Sequence, residues 1–250
     1  MYEGPFFSRF PQNECSFTDD QGVERRYLFP SFYESSRGMS LLMQCSWSKA
    51  RSILPSRKLF PVPAGIGKAL VVVAAFEYLH PQGMDPYNEV LFAVPVLHRL
   101  AGTAFPVVGL AVNKLIVDKQ ENVQRGKHLW GMDKSMGEFR FFDVGDYRVC
   151  EVFRNGRRAI RLEVPAKGKS RRFEQSRYLI TCKDGNILRS RQAMSGRKME
   201  HRKQGGLIPG ADPFAVEIES LNVSPLPAVS AFYPVVDQTL SLPLESDPER

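Results

Sequence analysis

The sequence lacks paired cysteines and clustered histidines, and each absence excludes a class of protein. Its four cysteines, Cys15, Cys45, Cys150 and Cys182, form no C-x-x-C pair, which metal-binding fingers and thiol redox motifs require. We therefore expect reduced cysteines that behave as small hydrophobic side chains. The four histidines show no ligand spacing such as H-x-x-x-H. We predict no metal site and no cofactor.

Long apolar runs are also missing. The most apolar stretch covers only residues 69–76, whereas a helix that spans a bilayer needs about 20 apolar residues. The first residues, MYEGPFFSRFPQNE, contain no apolar core behind a basic start, so we predict no secretory signal. These features predict a cytoplasmic protein with no membrane partner.

The composition is that of a globular protein, but its charge is unevenly spread. The 250 residues are 43% hydrophobic and 24% charged, with a net charge of +7. Residues 154–203 hold 16 Lys and Arg against four acidic residues, a balance of +12, and the rest hold 18 against 23, or −5. One interpretation of this basic stretch is the solvent-facing side of a half-buried sheet. The other is a site for an anionic substrate tail or for a subunit contact. Nucleic acid is an unlikely partner, because no recognised nucleic-acid module is present.

Apolar runs that are rich in β-branched residues and bounded by Gly or Pro predict a mostly β fold. The predicted strands are 39–45, 69–76, 88–96, 104–118, 138–143, 147–153, 159–164, 177–182, 186–192, 214–221 and 235–242, and the predicted helices are 47–54 and 119–129. Pro95 predicts a bulge or an edge in its strand. We expect a closed or nearly closed barrel over residues 38–243, after an irregular arm at 1–37 and before a tail at 244–250.

One segment carries residues suited to catalysis, namely RGKHLWGMDKSMG at residues 125–137. Lys134 follows the predicted helix and stands among glycines and apolar residues. Burial of a lysine disfavours its ammonium form and leaves a nucleophilic amine. Such an amine condenses with a ketone to a Schiff base, whose iminium withdraws electrons from the neighbouring carbon. From spacing alone, a lone lysine is far more often a solvated surface residue.

The same segment resembles the G-R-E-x-W/Y-G-F/Y-P-K pattern of the acetoacetate decarboxylase-like superfamily. Gly126, Trp130, Gly131 and Lys134 match that pattern in register. Upstream, PYNEVLFAVPV at residues 86–96 is similar to the family's Y-x-E strand motif. Downstream, ADPFAVEIESL at residues 211–221 resembles its C-terminal strand region. The likeness runs from about residue 38 to residue 243.

The resemblance implies a β-barrel or cone around an apolar cavity, with a few short helices and with Lys134 as the Schiff-base lysine. It implies that Glu89 moves protons near the substrate, and it makes Arg37 and Trp130 candidates for binding a substrate. The implied partner is a small-molecule keto acid. The family also implies a homo-oligomer, and the aromatic residues of the arm are candidates for packing on a neighbour; they are Tyr2, Phe6, Phe7 and Phe10.

The chain departs from the family pattern beside the lysine. Ser135 stands where acetoacetate decarboxylases have a second lysine, and Asp133 replaces the pattern's proline. Lys127 and His128 stand where the pattern has Arg and Glu. We therefore expect a Schiff-base lyase that acts on a keto acid by decarboxylation or by an aldol or dehydration variant, and not an efficient acetoacetate decarboxylase. The alternative is a non-catalytic member that binds a small hydrophobic or anionic metabolite, which a pairing of Lys134 with Asp133 would favour.

Overall fold

Strands make up most of the computed structural model, which describes residue 2 and residues 4–99 and 106–248. The strands are β1 (Asn13–Thr18), β2 (Glu24–Phe29), β3 (Ser31–Ser46), β4 (Leu59–Pro61), β5 (Lys68–Tyr78), β6 (His80–Pro81), β7 (Tyr87–His98), β8 (Val107–Val117), β9 (Lys134–Met136), β10 (Glu138–Val144), β11 (Tyr147–Arg154), β12 (Arg157–Pro165), β13 (Arg171–Lys183), β14 (Asn186–His201), β15 (Gly206–Pro209), β16 (Val229–Leu240) and β17 (Leu244–Pro248). The helices are α1 (Trp47–Ser52), α2 (Gln120–Trp130) and α3 (Pro213–Ser220), after a 3-10 turn at Phe7–Arg9. Both predicted helices are confirmed. Residues 1, 3, 104, 105, 249 and 250, which belong to the predicted arm, strand and tail, lie outside the described residues.

Seven strands of the described chain close into a barrel. Their order is β7, β5, β3, β16, β14, β13 and β8, and β8 pairs again with β7. Neighbours are antiparallel except for β13 and β8, which run parallel. Closure pairs both edges of the sheet, which an open sheet would leave exposed. The predicted mostly β barrel is therefore confirmed.

The outer face of the barrel is covered by a second sheet, in the order β10, β11, β12 and β15. Strand β5 is buried on both faces, because one hydrophobic core lies between the barrel and the second sheet and another lies inside the barrel. Val71 and Val73 pack outward with Ile160 of β12, while Val72 and Ala74 pack inside the barrel. This double burial explains why residues 69–76 form a continuous apolar run instead of alternating with polar residues.

Pro95 lies where strand β7 changes its partner. Pairing of β7 with β5 ends at Ala93, and pairing with β4 begins at Val96. On the other side, the register between β7 and β8 shifts between Phe92 and Ala93. Proline has no N–H to donate to a neighbouring strand, so it fits this gap in the pairing.

The strand predicted at 214–221 is wrong, since this segment forms helix α3. The side chain of Asp212 accepts a hydrogen bond of 2.9 Å from the backbone N–H of Phe214, and Pro213 occupies the first turn. An aspartate cap followed by proline is a helix start signal. Phe214 and Ile218, four residues apart, are buried in the outer core.

The N-terminal segment differs from the irregular arm that was expected. Strands β1 and β2 form an antiparallel hairpin that pairs Asn13 with Phe29, and β3 begins at Ser31, before the expected domain start. Phe6 and Phe7 are buried against Phe32 of the same chain. The expected tail contains β17, which pairs with β14. No helix within residues 4–99 and 106–248 has the length and apolar character needed to cross a membrane.

Candidate active site

A cavity inside the barrel opens beneath helix α2. The space between its walls is about 630 Å³ when open solvent at the mouth is included, and about 30 Å³ of it admits the centre of a water-sized sphere. The wall is mostly aromatic and aliphatic, with Tyr33, Phe76, Tyr78, Tyr87, Leu91 and Leu115 among its members. A few polar side chains interrupt it, and they are the candidates for chemistry.

Lys134 and Glu89 meet at this cavity. The Lys134 Nζ donates to the Glu89 Oε2 at 2.6 Å, and the two side chains are 8% and 11% exposed. Strand β8 brings them together, because β9 pairs Lys134 with Leu115 and β7 pairs Glu89 with Val117. Residues 45 positions apart in the sequence thus form one buried ion pair.

The glycines of the segment let helix α2 lie against the lysine. Gly131 has φ of +60° and ends the helix, so the chain turns back into β9. A Cβ on Gly126 would lie 2.6 Å from both the Cδ and the Cε of Lys134. Gly131 is therefore explained by its left-handed backbone conformation, and Gly126 by the close approach of the helix to the Lys134 side chain.

Trp130 also lies at the cavity. It is almost fully buried, lines the cavity wall, and its Nε1 donates to the carbonyl of Ser241 at 3.0 Å. That hydrogen bond satisfies the indole N–H of this buried side chain. Trp130 is thus placed to limit the space beside Lys134.

Arg37 and Asp133 are not brought to this site. Arg37 is exposed and pairs in register with Glu77, next to the inward-facing Phe76. Asp133 is exposed as well. The carboxylate that meets Lys134 is that of Glu89, so the pairing with Asp133 that favoured an inert lysine does not form.

Arg125 is a cavity residue that the sequence reasoning missed. Its side chain is buried, its Nη2 donates to the Ser31 hydroxyl, and its Nη1 contacts the Met84 Sδ at 2.6 Å. The guanidinium carbon lies 4.6 Å from the Tyr27 ring centre and 5.2 Å from that of Trp130. In the described part of the chain, no carboxylate lies within 4 Å of it, and its Nε has no hydrogen-bond partner. The only sequence feature that pointed to Arg125 was its position next to the matched Gly126. A basic residue at such a position occurs in many amphipathic helices, so it did not indicate a cavity residue.

Two tyrosines beside the ion pair stay protonated. Burial raises the pKa of Tyr78 and of Tyr87 well above the usual tyrosine range, and the charge of Glu89 adds to both shifts. The Tyr78 hydroxyl lies 3.5 Å from the Glu89 Oε1. Among the residues that the structure describes, no three His, Cys, Asp or Glu side chains are grouped to hold a metal ion.

The fold and site define a closed β-barrel protein with a buried lysine–glutamate pair at an apolar cavity. The chain belongs to the acetoacetate decarboxylase (ADC) family, whose model matches residues 21–197. No match was found among curated proteins.

Several solved structures have a similar fold. An acetoacetate decarboxylase from Legionella pneumophila subsp. pneumophila str. Philadelphia 1 is 15% identical, with a TM-score of 0.65 over 88% of each chain. The enduracididine biosynthesis enzyme MppR is 17% identical, with a TM-score of 0.56 over 88% of each chain. An acetoacetate decarboxylase-like enzyme from Sphingomonas wittichii RW1 is 14% identical, with a TM-score of 0.56 over 87% of this chain and 92% of that one. At these identities the likeness establishes the fold alone.

Proposed function

We propose that this protein is a Schiff-base lyase that acts on a keto acid through Lys134. The observation that carries the proposal is the 2.6 Å contact of Lys134 with Glu89 at the wall of an apolar cavity. Removing two charged groups from water costs several kcal/mol per ion in proteins. A pair of this kind is justified by a task in which it shares a proton.

The proposed reaction begins with proton transfer within the pair. Glu89 accepts a proton from the Lys134 ammonium, and the free amine attacks the ketone carbon of the substrate. A C–N bond forms, the carbonyl oxygen leaves as water, and the product is an iminium. The Glu89 carboxyl, which contacts the Lys134 Nζ, then returns the proton to the departing oxygen.

Two outcomes follow from the same iminium. In a 3-keto acid, the C–C bond to the carboxylate breaks, CO₂ leaves, and the electron pair moves to the nitrogen, giving an enamine that is then protonated on carbon. In a 2-keto acid, loss of a proton from the neighbouring carbon gives an enamine that adds to an aldehyde, and water is then lost. Water finally hydrolyses the iminium and frees Lys134 in either case.

Arg125 is the proposed carboxylate-binding residue in place of Arg37. Its buried guanidinium lies at the cavity, and no carboxylate of the described chain neutralises it. Guanidinium–carboxylate hydrogen bonds are among the strongest in proteins, so a substrate carboxylate would compensate this buried charge. The side chain of Arg37 is exposed and does not line the cavity, so we assign it no such role.

The ligands of solved relatives support a keto acid as ligand of this protein. MppR was solved in complex with pyruvate, a 2-keto acid, and with the condensation product of pyruvate and imidazole 4-carboxaldehyde. Other relatives are acetoacetate decarboxylases. Because Ser135 stands where acetoacetate decarboxylases have a second lysine, the proposal includes both decarboxylation and the aldol or dehydration variant.

Borohydride trapping tests this function. The protein is incubated with pyruvate, acetoacetate and longer 3-keto acids, reduced, and analysed by intact mass and peptide mapping. We expect an adduct on Lys134 with at least one acid, and none in Lys134→Ala. The control Lys127→Ala removes a lysine from α2 that is paired with Asp20 at the surface, and it should form the adduct at the wild-type level.

The proposal is overturned if the folded wild-type protein forms no adduct with any of these acids. An adduct that survives Lys134→Ala would overturn it as well. The chain would then be a non-catalytic member of the family that binds a small hydrophobic or anionic metabolite.

A further inference from the structure

Three side chains, those of the half-buried Arg177 and the buried Gln192 and Gln238, form a hydrogen-bonded relay that ends at the cavity. The Arg177 Nε donates to the Gln192 Oε1 at 2.7 Å. The Gln192 Nε2 in turn donates to the Gln238 Oε1 at 3.1 Å. Gln192 and Gln238 both line the cavity and are buried. The relay therefore runs from Arg177 to the cavity that Lys134 also lines.

Arg177 determines the direction of the whole relay. A guanidinium has only donors, so the Gln192 atom that faces it is the amide oxygen. The Gln192 nitrogen then faces Gln238, and this second amide also presents its oxygen. The chemistry of one donor-only group thereby sets the orientation of two amides, which are otherwise free to flip.

The relay leaves one donor unused. The Gln238 Nε2 is buried and has no hydrogen-bond partner among the described residues. An unpartnered buried donor is costly, and native proteins rarely keep one without a reason. A ligand oxygen at the cavity wall would satisfy it.

Gln238 lies across the cavity from the ion pair. In the barrel order, β16 with Gln238 is three strands from β7 with Glu89 in one direction and four in the other. No position in a seven-membered ring is more distant. Since both residues line the same cavity, they face it from opposite walls.

Building on the proposed function, we infer that Gln238 donates a hydrogen bond to an oxygen at the far end of the substrate keto acid. The substrate class is a keto acid longer than pyruvate that carries a hydroxyl, carbonyl or carboxylate oxygen remote from the ketone that reacts with Lys134. The relay acts on that oxygen alone and is separate from the proposed carboxylate contact of Arg125.

Arg177 is a positioning residue in this inference. Its Nη2 contacts the Met194 Sδ at 3.7 Å, and no carboxylate in the described ranges lies within 4 Å. Burial lowers the pKa of its guanidinium, against smaller raising effects of Tyr233 and Tyr78. Its positive charge makes the Gln238 N–H a better donor through the two amides.

Three keto acids with the same five-carbon chain test the inference. They are 2-oxopentanoate, which has no distal oxygen, 5-hydroxy-2-oxopentanoate and 2-oxopentanedioate. For each acid, borohydride trapping gives the concentration at half-maximal adduct. We expect wild type to require about tenfold less of at least one oxygen-bearing acid than of 2-oxopentanoate, the value of one good hydrogen bond.

Substitutions along the relay should remove this preference. In Gln238→Met, which keeps the side-chain length and removes the donor, the ratio should fall to about one. Arg177→Met should also lower the ratio although it leaves Gln238 in place, and Arg177→Lys should restore it, because lysine also donates to Gln192. Comparing acids within one variant cancels any loss of folded protein.

Equal half-maximal concentrations in wild type, or a preference that survives Gln238→Met, would overturn the inference while leaving the Schiff-base function intact. If no acid forms an adduct, the proposed function fails. The preference is then measured by calorimetric titration of the same acids into wild type and Gln238→Met, where its presence supports the donor role and its absence overturns it.

Discussion

At the scale of single residues, Gly126 determines how closely helix α2 approaches Lys134. An alanine Cβ would lie 2.6 Å from the lysine Cδ and Cε, so the flexible side chain must leave the position in which it contacts Glu89. We predict that Gly126→Ala lowers keto acid trapping at Lys134 by about tenfold or more, as expected when a reacting group is displaced by about 1 Å. Trapping at a fixed acid concentration measures this.

The matched control is Gly206→Ala, where a Cβ meets no atom within 4 Å and φ is not positive. It should trap keto acid as wild type does. The melting temperature of Gly126→Ala should change little. Alanine favours a helix interior by about 1 kcal/mol over glycine, and this gain offsets the cost of displacing the lysine side chain. Wild-type trapping in Gly126→Ala would show that Lys134 tolerates the displacement.

The buried Tyr78 predicts a pH dependence of stability. Its pKa is raised in the folded state by burial and by Glu89, whereas in the unfolded chain it is about 10. Its contribution is therefore fully present below pH 10 and is lost as the pH rises further, since the unfolded state then binds fewer protons. We expect the unfolding free energy of wild type to fall more steeply above pH 10 than that of Tyr78→Phe.

Urea denaturation at several pH values between 8 and 11 measures this difference. Tyr147→Phe, which removes an exposed tyrosine, should follow the wild-type curve. Parallel curves for wild type and Tyr78→Phe would contradict the assignment.

At the scale of elements, the cap of helix α3 predicts a stability loss. Asp212 accepts hydrogen bonds from the Phe214 backbone at 2.9 Å and from the Arg154 Nη1 at 3.0 Å. We expect Asp212→Ala to lower the unfolding free energy by about 1–2 kcal/mol, as for other caps. For a chain of this size the melting temperature should fall by about 2–8 °C.

Asp212→Asn separates the cap from the ion pair. The asparagine oxygen still accepts from the Phe214 N–H but no longer carries the charge that Arg154 faces. We therefore expect Asp212→Asn to be more stable than Asp212→Ala and less stable than wild type. Equal losses in the two variants would show that the cap contributes nothing.

At the scale of the whole molecule, part of the basic stretch is neutralised within the chain. Six of its residues have a carboxylate within 4 Å, namely Arg154, Arg158, Arg161, Lys167, Arg171 and Lys198. Arg172 and Arg197 remain exposed and lie directly opposite each other on β13 and β14. Like charges in such a pair repel, and a partner's carboxylates would relieve that repulsion.

We predict a homo-oligomer that uses this surface. Light scattering on a sizing column at 0.1 M NaCl should give a multiple of the 28.3 kDa chain mass, and Arg172→Glu combined with Arg197→Glu should lower it. Arg157→Glu, at another exposed position, is the control and should leave the mass unchanged. A wild-type mass near that of one chain would contradict the prediction.

The face on which a residue lies was decided by the tertiary structure. Strand β3 advances three residues from Tyr33 to Ser36 while β16 retreats only two, from Gln238 to Val236, and Ser35 has φ of +51°. The extra residue switches the inward and outward positions. Tyr33 therefore faces the cavity while Arg37 faces outward, a switch that the sequence does not show.

The sequence by itself determined the mostly β class and helix α2, and it singled out Lys134 and Glu89 as candidates, because these depend on local patterns or on a motif at fixed spacing. Only the tertiary structure placed Glu89 against Lys134 and brought Arg125 and Gln238 to one cavity. Those contacts join strands and a helix far apart in the chain, and they depend on how the barrel closes. Helix α3 shows the remaining limit, because an apolar segment of eight residues fits a strand or a helix until its cap and packing are known.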